Sequence, residues 1–190
     1  MSRYELLLFL HVAAAILWLG SGFFLQVLVF RGERTDDHAL MKSLGDSSEW
    51  FARRVFIPVS LSVLVLGVLL VLDSPWEFDD VWVALGLLGY LASFLIGVLL
   101  IEPEGKRIGA TIAANGPAHP DVARRIRKIN VISRVELIIL FLVVADMTLK
   151  PTDEDTGTLL LFGAIAAAAI AVGVVTIGRA GPTAELRPAE

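Results

Sequence analysis

Five apolar runs, each long enough or nearly long enough to cross a bilayer as a helix, leave this chain few ways to fold. They cover residues 6–30, 55–72, 81–101, 131–149 and 158–178. A membrane core asks for about 20 mostly apolar helical residues. Lipid offers the backbone no hydrogen-bond partner, so each run must satisfy its own amides as a helix. A helix that is hydrophobic all round has few places in a water-soluble fold. Composition agrees: 56% of the 190 residues are hydrophobic and 19% are charged, and the mean hydropathy of +0.73 is high for a soluble domain. The first run far exceeds the roughly 7–15 apolar residues of a signal peptide. Arg31-Gly32-Glu33-Arg34 follows it in place of a small-residue cleavage site, so it reads as a retained span.

The linkers set an orientation. The first carries Arg31, Arg34, Lys42, Arg53 and Arg54, and the third Lys106, Arg107, Arg124, Arg125, Arg127 and Lys128. The second has only acidic charges, Asp73, Glu77, Asp79 and Asp80, and the fourth has Lys150 at its edge beside Asp153, Glu154 and Asp155. Positive charge collects on the cytoplasmic side. The expectation is an all-α polytopic membrane helix bundle of five transmembrane helices, N-terminus outside and C-terminus cytoplasmic. Residues 1–178 would form one bundle, and 179–190 a polar, disordered cytoplasmic tail. Trp76 and Trp82 flank the second linker and fit an aromatic belt at the headgroups. Asn115-Gly116-Pro117 reads as a turn, residues 121–128 as an amphipathic entry into the fourth span, and Pro58 as a first-turn proline of the second.

Charges within the spans are costly and therefore draw attention. His11 stands in the outer part of the first span. Asp146 stands near the outer end of the fourth, with Arg134 and Glu136 near its inner end. By topology His11 and Asp146 share a depth and would hydrogen-bond if their helices touch. An imidazole with a carboxylate partner handles protons or binds metal, and the adjacent Met147 thioether suits a soft metal. The plainer alternative is a His11 held by a backbone carbonyl, or by Asp146, for structure alone. Arg134 is placed to snorkel to the inner headgroups. Glu136 faces nearly opposite to it and would look to Arg53, Arg54 or another inner-mouth residue for a partner. Trp18, mid-span beside Gly20 and Gly22, would stack on a porphyrin or quinone, or simply pack. Small residues, especially 163–169 of the fifth span and Gly86 and Gly89 of the third, would let helices approach closely.

Other chemistries are missing. There is no cysteine, hence no disulfide or thiolate ligand. No phosphate-binding loop, dinucleotide fingerprint or HExxH motif occurs. No catalytic residue is assigned, and nothing points to nucleic acid. Of the three histidines only His11 lies in a span, so a bis-histidine haem is not on offer.

Residues 8–22 (LFLHVAAAILWLGSG), the opening Arg54-Val55-Phe56-Ile57-Pro58 of the second span with Gly67 behind it, and Ala145-Asp146-Met147-Thr148-Leu149-Lys150-Pro151 together resemble the bacterial membrane family called domain of unknown function 2269. That group is more distantly similar to the copper-resistance D membrane proteins and the membrane-bound protoporphyrinogen oxidase. Its shared features are a first-helix His with a following Trp-x-Gly step, matched by His11, Trp18 and Gly20, and a Met-x-x-Lys-Pro end, matched by Met147, Lys150 and Pro151. The resemblance covers the first four spans and implies a bacterial inner membrane. The methionine-rich segments expected of a copper importer are lacking. Three functions follow as expectations. The first is metal or small-solute handling or transport through an outward-facing site at His11, Asp146 and Met147, with copper as the metal. The second is a redox protein holding haem b or quinone at His11 and Trp18. The third is a non-catalytic subunit, or homo-oligomer, assembled through the small-residue faces. The lipid bilayer is a partner in each.

Overall fold

The computed structural model describes residues 2–35 and 38–179, and all regular structure among them is helical. The predicted tail lies outside the described residues from residue 180 onward. Helix α1 (Arg3–Thr35) is 33 residues long, about 50 Å at 1.5 Å per residue. Its start is a capping box. The Ser2 hydroxyl accepts the Glu5 amide at 3.2 Å and the Glu5 carboxylate accepts the Ser2 amide at 2.8 Å, so two otherwise orphaned donors are satisfied together.

The first linker is itself helical. Helix α2 (His38–Phe51) passes through a π-helical turn at Ala52–Phe56 into α3 (Ile57–Leu72). Pro58 is in the first turn of α3 as expected, but the residues before it are helical too, so it also lies inside a continuous helical run. The same device recurs where α4 (Val81–Ile96) passes through a π turn at Gly97–Ile101 into α5 (Glu102–Asn115), with Pro103 just beyond. Proline removes one amide and its ring collides with the carbonyl four residues back. Widening the helix by one residue before it, with Ile57 bonding to Ala52 and Glu102 to Gly97, relieves the collision without breaking the helix. Gly116, at φ 82, closes α5 in a conformation that favours glycine. Helix α6 (Pro120–Leu149) and helix α7 (Thr156–Arg179) complete the described residues.

Among the described residues, four helical segments are long and apolar enough to cross a membrane: Arg3–Thr35, Ala52–Leu72, Val81–Asn115 and Thr156–Arg179. Helix α6 has the length but carries Arg134, Glu136 and Asp146 in its apolar half. Ile16, Leu17, Phe24, Leu160 and Val172 stand exposed on α1 and α7, as lipid-facing side chains do and as soluble cores do not. The protein is an all-helical, multi-pass integral membrane protein.

The chain divides into two compact units. The first holds Met1–Leu91 with Leu140–Asp155, and the second Ala92–Ile139 with Thr156–Glu190. Within the first, α1 packs on α3, Phe23 of α1 meets Phe141 of α6 edge to face at 6.3 Å, and Trp18 of α1 meets Tyr90 of α4 at 5.7 Å. The glycines expected to admit close helix contact do so selectively. A Cβ on Gly86 or Gly89 of α4 would overlap Met147 or Val143 of α6. Within the second unit, one on Gly173 of α7 would come within 2.8 Å of Val135 of α6. Gly20 and Gly163 have open space around them, so Gly173, and not the start of the 163–169 stripe, is where α7 meets α6.

Candidate functional site

Asp146 is the residue hardest to explain by packing. It stands one turn from the end of α6 beside Gly86 of α4, whose missing side chain leaves room for the neighbouring Met147 methyl. The residue is 2% exposed, and neither carboxylate oxygen has a hydrogen-bond partner. An ionic partner four residues on would be the natural companion on a helix, and Lys150 occupies that position. Its backbone, however, takes a left-handed φ of 48, closing α6 with a bond from the Lys150 amide to the Asp146 carbonyl at 2.8 Å. The ammonium then sits over the rings of Trp76 and Trp82, 4.4 and 4.8 Å from their centroids, and those rings meet edge to face at 5.3 Å. Cation–π attraction holds the charge there. The Met-x-x-Lys-Pro motif therefore builds a stop whose lysine faces two tryptophans instead of the carboxylate. Arg3 and Asp73, 3.4 Å apart, add a partly exposed ion pair within the same unit.

The His11–Asp146 hydrogen bond expected from sequence is not made. His11 Nδ1 donates to the Val63 carbonyl of α3 at 3.0 Å, and its ring lies against Gly67, where a Cβ would come within 3.1 Å. That is the backbone-satisfied histidine foreseen as the plainer alternative. Helices α1 and α6 do touch, but through Phe23 and Phe141. Trp18 is buried against Tyr90, so its ring face is spent on packing.

These placements bear on the cofactors. His11 is drawn to α3, Met147 to α4, and no group of three or more His, Cys, Asp or Glu placed to hold a metal occurs among the described residues. One imidazole and one thioether held by different helices do not make a copper site. The Trp18 ring, expected to stack on a porphyrin or quinone, packs on Tyr90 instead.

Two further acidic residues lie in the second unit. Glu136 of α6 accepts the buried Ser93 hydroxyl of α4 at 2.6 Å, a partner that sequence did not single out. Glu104 escaped notice altogether. It lies in α5, three residues past the apolar run that ends at Ile101, yet is 2% exposed. Its Oε1 accepts from Arg107 at 3.0 Å and Lys128 at 2.6 Å, and its Oε2 from Arg125 at 2.8 Å. All three donors are cationic, so the carboxylate is held by charge-assisted hydrogen bonds. The signal available in the sequence was an acid set among the basic residues of the third linker, which composition alone does not separate from a solvated surface charge. Outside the spans, Asp155 takes the amide and hydroxyl of Thr152, which lower its carboxyl from the ordinary value.

Comparison with known proteins adds a family and no activity. No curated protein and no solved structure matches the chain, so the more distant likeness to copper-resistance D proteins and to the oxidase is not shown. A family model described as "Predicted integral membrane protein (DUF2269)" matches residues 5–151, from the first turn of α1 to the proline after α6 and so including His11, Trp18, Glu104, Asp146 and Lys150, and the chain belongs to that family.

Proposed function

We propose that this is a five-span protein of a bacterial inner membrane, N-terminus outside and C-terminus cytoplasmic, that handles a proton or a small cation at Asp146. One observation carries the reading: a carboxylate one turn inside the end of α6, 2% exposed and with both oxygens unpartnered. A charge buried without a hydrogen bond costs several kcal/mol or more, so the site calls for a proton or a cation to offset it. The Lys150 ammonium, which would otherwise do so, is engaged by Trp76 and Trp82. The Met147 thioether beside the carboxylate adds a soft donor without charge. The sidedness of the linker charges supports the orientation. Counting α6 as the fifth span is supported by the Ser93 bond to Glu136, which lowers the cost of one of its three charges.

The test is reconstitution of the purified chain into liposomes. Proton and monovalent-cation fluxes are followed with an enclosed pH dye under an imposed potassium diffusion potential. Flux above that of empty vesicles is expected, falling at least tenfold in Asp146→Asn. Labelling of Asp146 by a hydrophobic carbodiimide should be slowed by the transported cation. Wild-type vesicles no faster than empty ones, or an Asp146→Asn variant as fast as wild type, would sink the reading.

A further inference from the structure

The second unit contains a recess of about 280 Å³ lined by Glu104 of α5, by Arg124, Arg125, Arg127, Lys128 and Val131 of α6, and by Thr176 and Ile177 of α7. We propose that it binds the phosphate of an anionic phospholipid, with an acyl chain leaving along Val131 and Ile177.

The argument begins with charge. Four cationic side chains and a single carboxylate line the recess. Glu104 draws Arg125 and Lys128 together but takes only one donor from each. A guanidinium has five N–H donors and an ammonium three. Most of that capacity remains unspent, and the buried Arg125 Nε has no partner at all. Arg124 is paired with Asp121 at 2.8 Å, whereas Arg127 makes no ion pair among the described residues. Such a set is an incomplete anion site: one carboxylate organises the cations and cannot neutralise them. A phosphate, with several acceptor oxygens and a planar match to guanidinium, completes it.

The walls decide which phosphate. Val131 begins the apolar part of α6, and Thr176 and Ile177 sit at the end of the apolar α7, whose last residue is Arg179. The Thr176 hydroxyl is turned back to the Val172 carbonyl at 2.7 Å, so this wall presents apolar surface. A soluble phosphate gains nothing from such a wall, while a lipid places its headgroup against the cations and its chain against the span. Basic recesses between spanning helices at the headgroup level are recognised sites for anionic lipids.

The test uses the full chain in mild detergent, with native mass spectrometry and thermal unfolding as readouts. The probes are dioleoylphosphatidylglycerol, dioleoylphosphatidylcholine and inorganic phosphate. Retention of phosphatidylglycerol and a rise in Tm are expected, with neither for phosphatidylcholine nor for phosphate at equal concentration. Arg127→Gln should weaken phosphatidylglycerol binding about fivefold, since each cation near an anionic headgroup contributes on that scale. The lipid-free Tm should not change, because Arg127 is exposed and unpaired, and Arg127→Lys should restore most of the binding. Equal retention of the two lipids, an equal Tm rise from inorganic phosphate, or unweakened binding in Arg127→Gln would each overturn the proposal.

Discussion

Glu104 and Asp146 are equally hidden, each 2% exposed, yet one carboxylate holds three cations and the other holds nothing. Their places in the chain explain the difference. Glu104 follows an apolar run and sits where basic residues are plentiful, so Arg107 reaches it along its own helix and Arg125 and Lys128 from α6. Asp146 is set in an apolar stretch whose nearest cation along the helix, Lys150, is turned to Trp76 and Trp82. In the first the carboxylate is satisfied, which stabilises the fold and leaves positive charge over. The second costs the fold something and leaves both carboxylate oxygens without a hydrogen-bond partner. Burial alone therefore says little about a carboxylate's role; its partners say more.

The comparison can be broken most forcefully at Glu104. Replacing it with Gln removes three charge-assisted hydrogen bonds and leaves partly exposed cations facing one another. A loss of about 2–3 kcal/mol is expected on unfolding in detergent. The same interactions predict a pH dependence. The carboxyl must be ionised to hold the three cations, so its contribution is lost when acid protonates it. The Glu104→Gln variant should lack that acid limb, and an unchanged limb would assign it to other groups.

The next largest effect is expected where α4 and α6 meet beneath Asp146. Gly89→Ala forces a Cβ into Val143, a stiff β-branched side chain, and should cost about 2 kcal/mol. Gly86→Ala meets only the flexible end of Met147 and should cost less. Equal losses at the two positions would contradict the contact geometry.

Lys150→Gln sharpens the contrast further. It removes the cation over two tryptophan rings and should cost about 1 kcal/mol, read as a lower midpoint of unfolding. Asp146→Asn should do least to the fold, with a change near zero or a gain of about 1 kcal/mol, because no charge is left to bury. A substantial loss of stability in that variant would mean that Asp146 has a structural partner after all. Opposite signs for Glu104→Gln and Asp146→Asn are the sharpest expression of the comparison.

Much of the helix content was legible in advance because lipid penalises every unpaired amide, which makes apolar length a direct reading of helix. The π turns ahead of Pro58 and Pro103 were not, since proline signals disruption without saying whether a helix will break or widen. The site was legible only in part. Asp146 and His11 stood out as polar residues in apolar runs, and Trp76 and Trp82 as interface aromatics. The partners did not. Val63 offers His11 a backbone carbonyl, a group that every residue carries, and Ser93 was one serine among several. Glu104 was hidden among many linker charges.

The sequence by itself determined an all-helical, multi-pass membrane protein with charge concentrated between the spans, because hydropathy and backbone satisfaction depend on composition along a single helix. Which polar groups meet was decided only by the tertiary structure. A hydrogen bond or ion pair reaches about 3 Å, a length that depends on how helices turn about their axes and on where a glycine lets two of them close. That is why His11 answers to α3 and not to Asp146, and why Glu104 is satisfied while Asp146 is not.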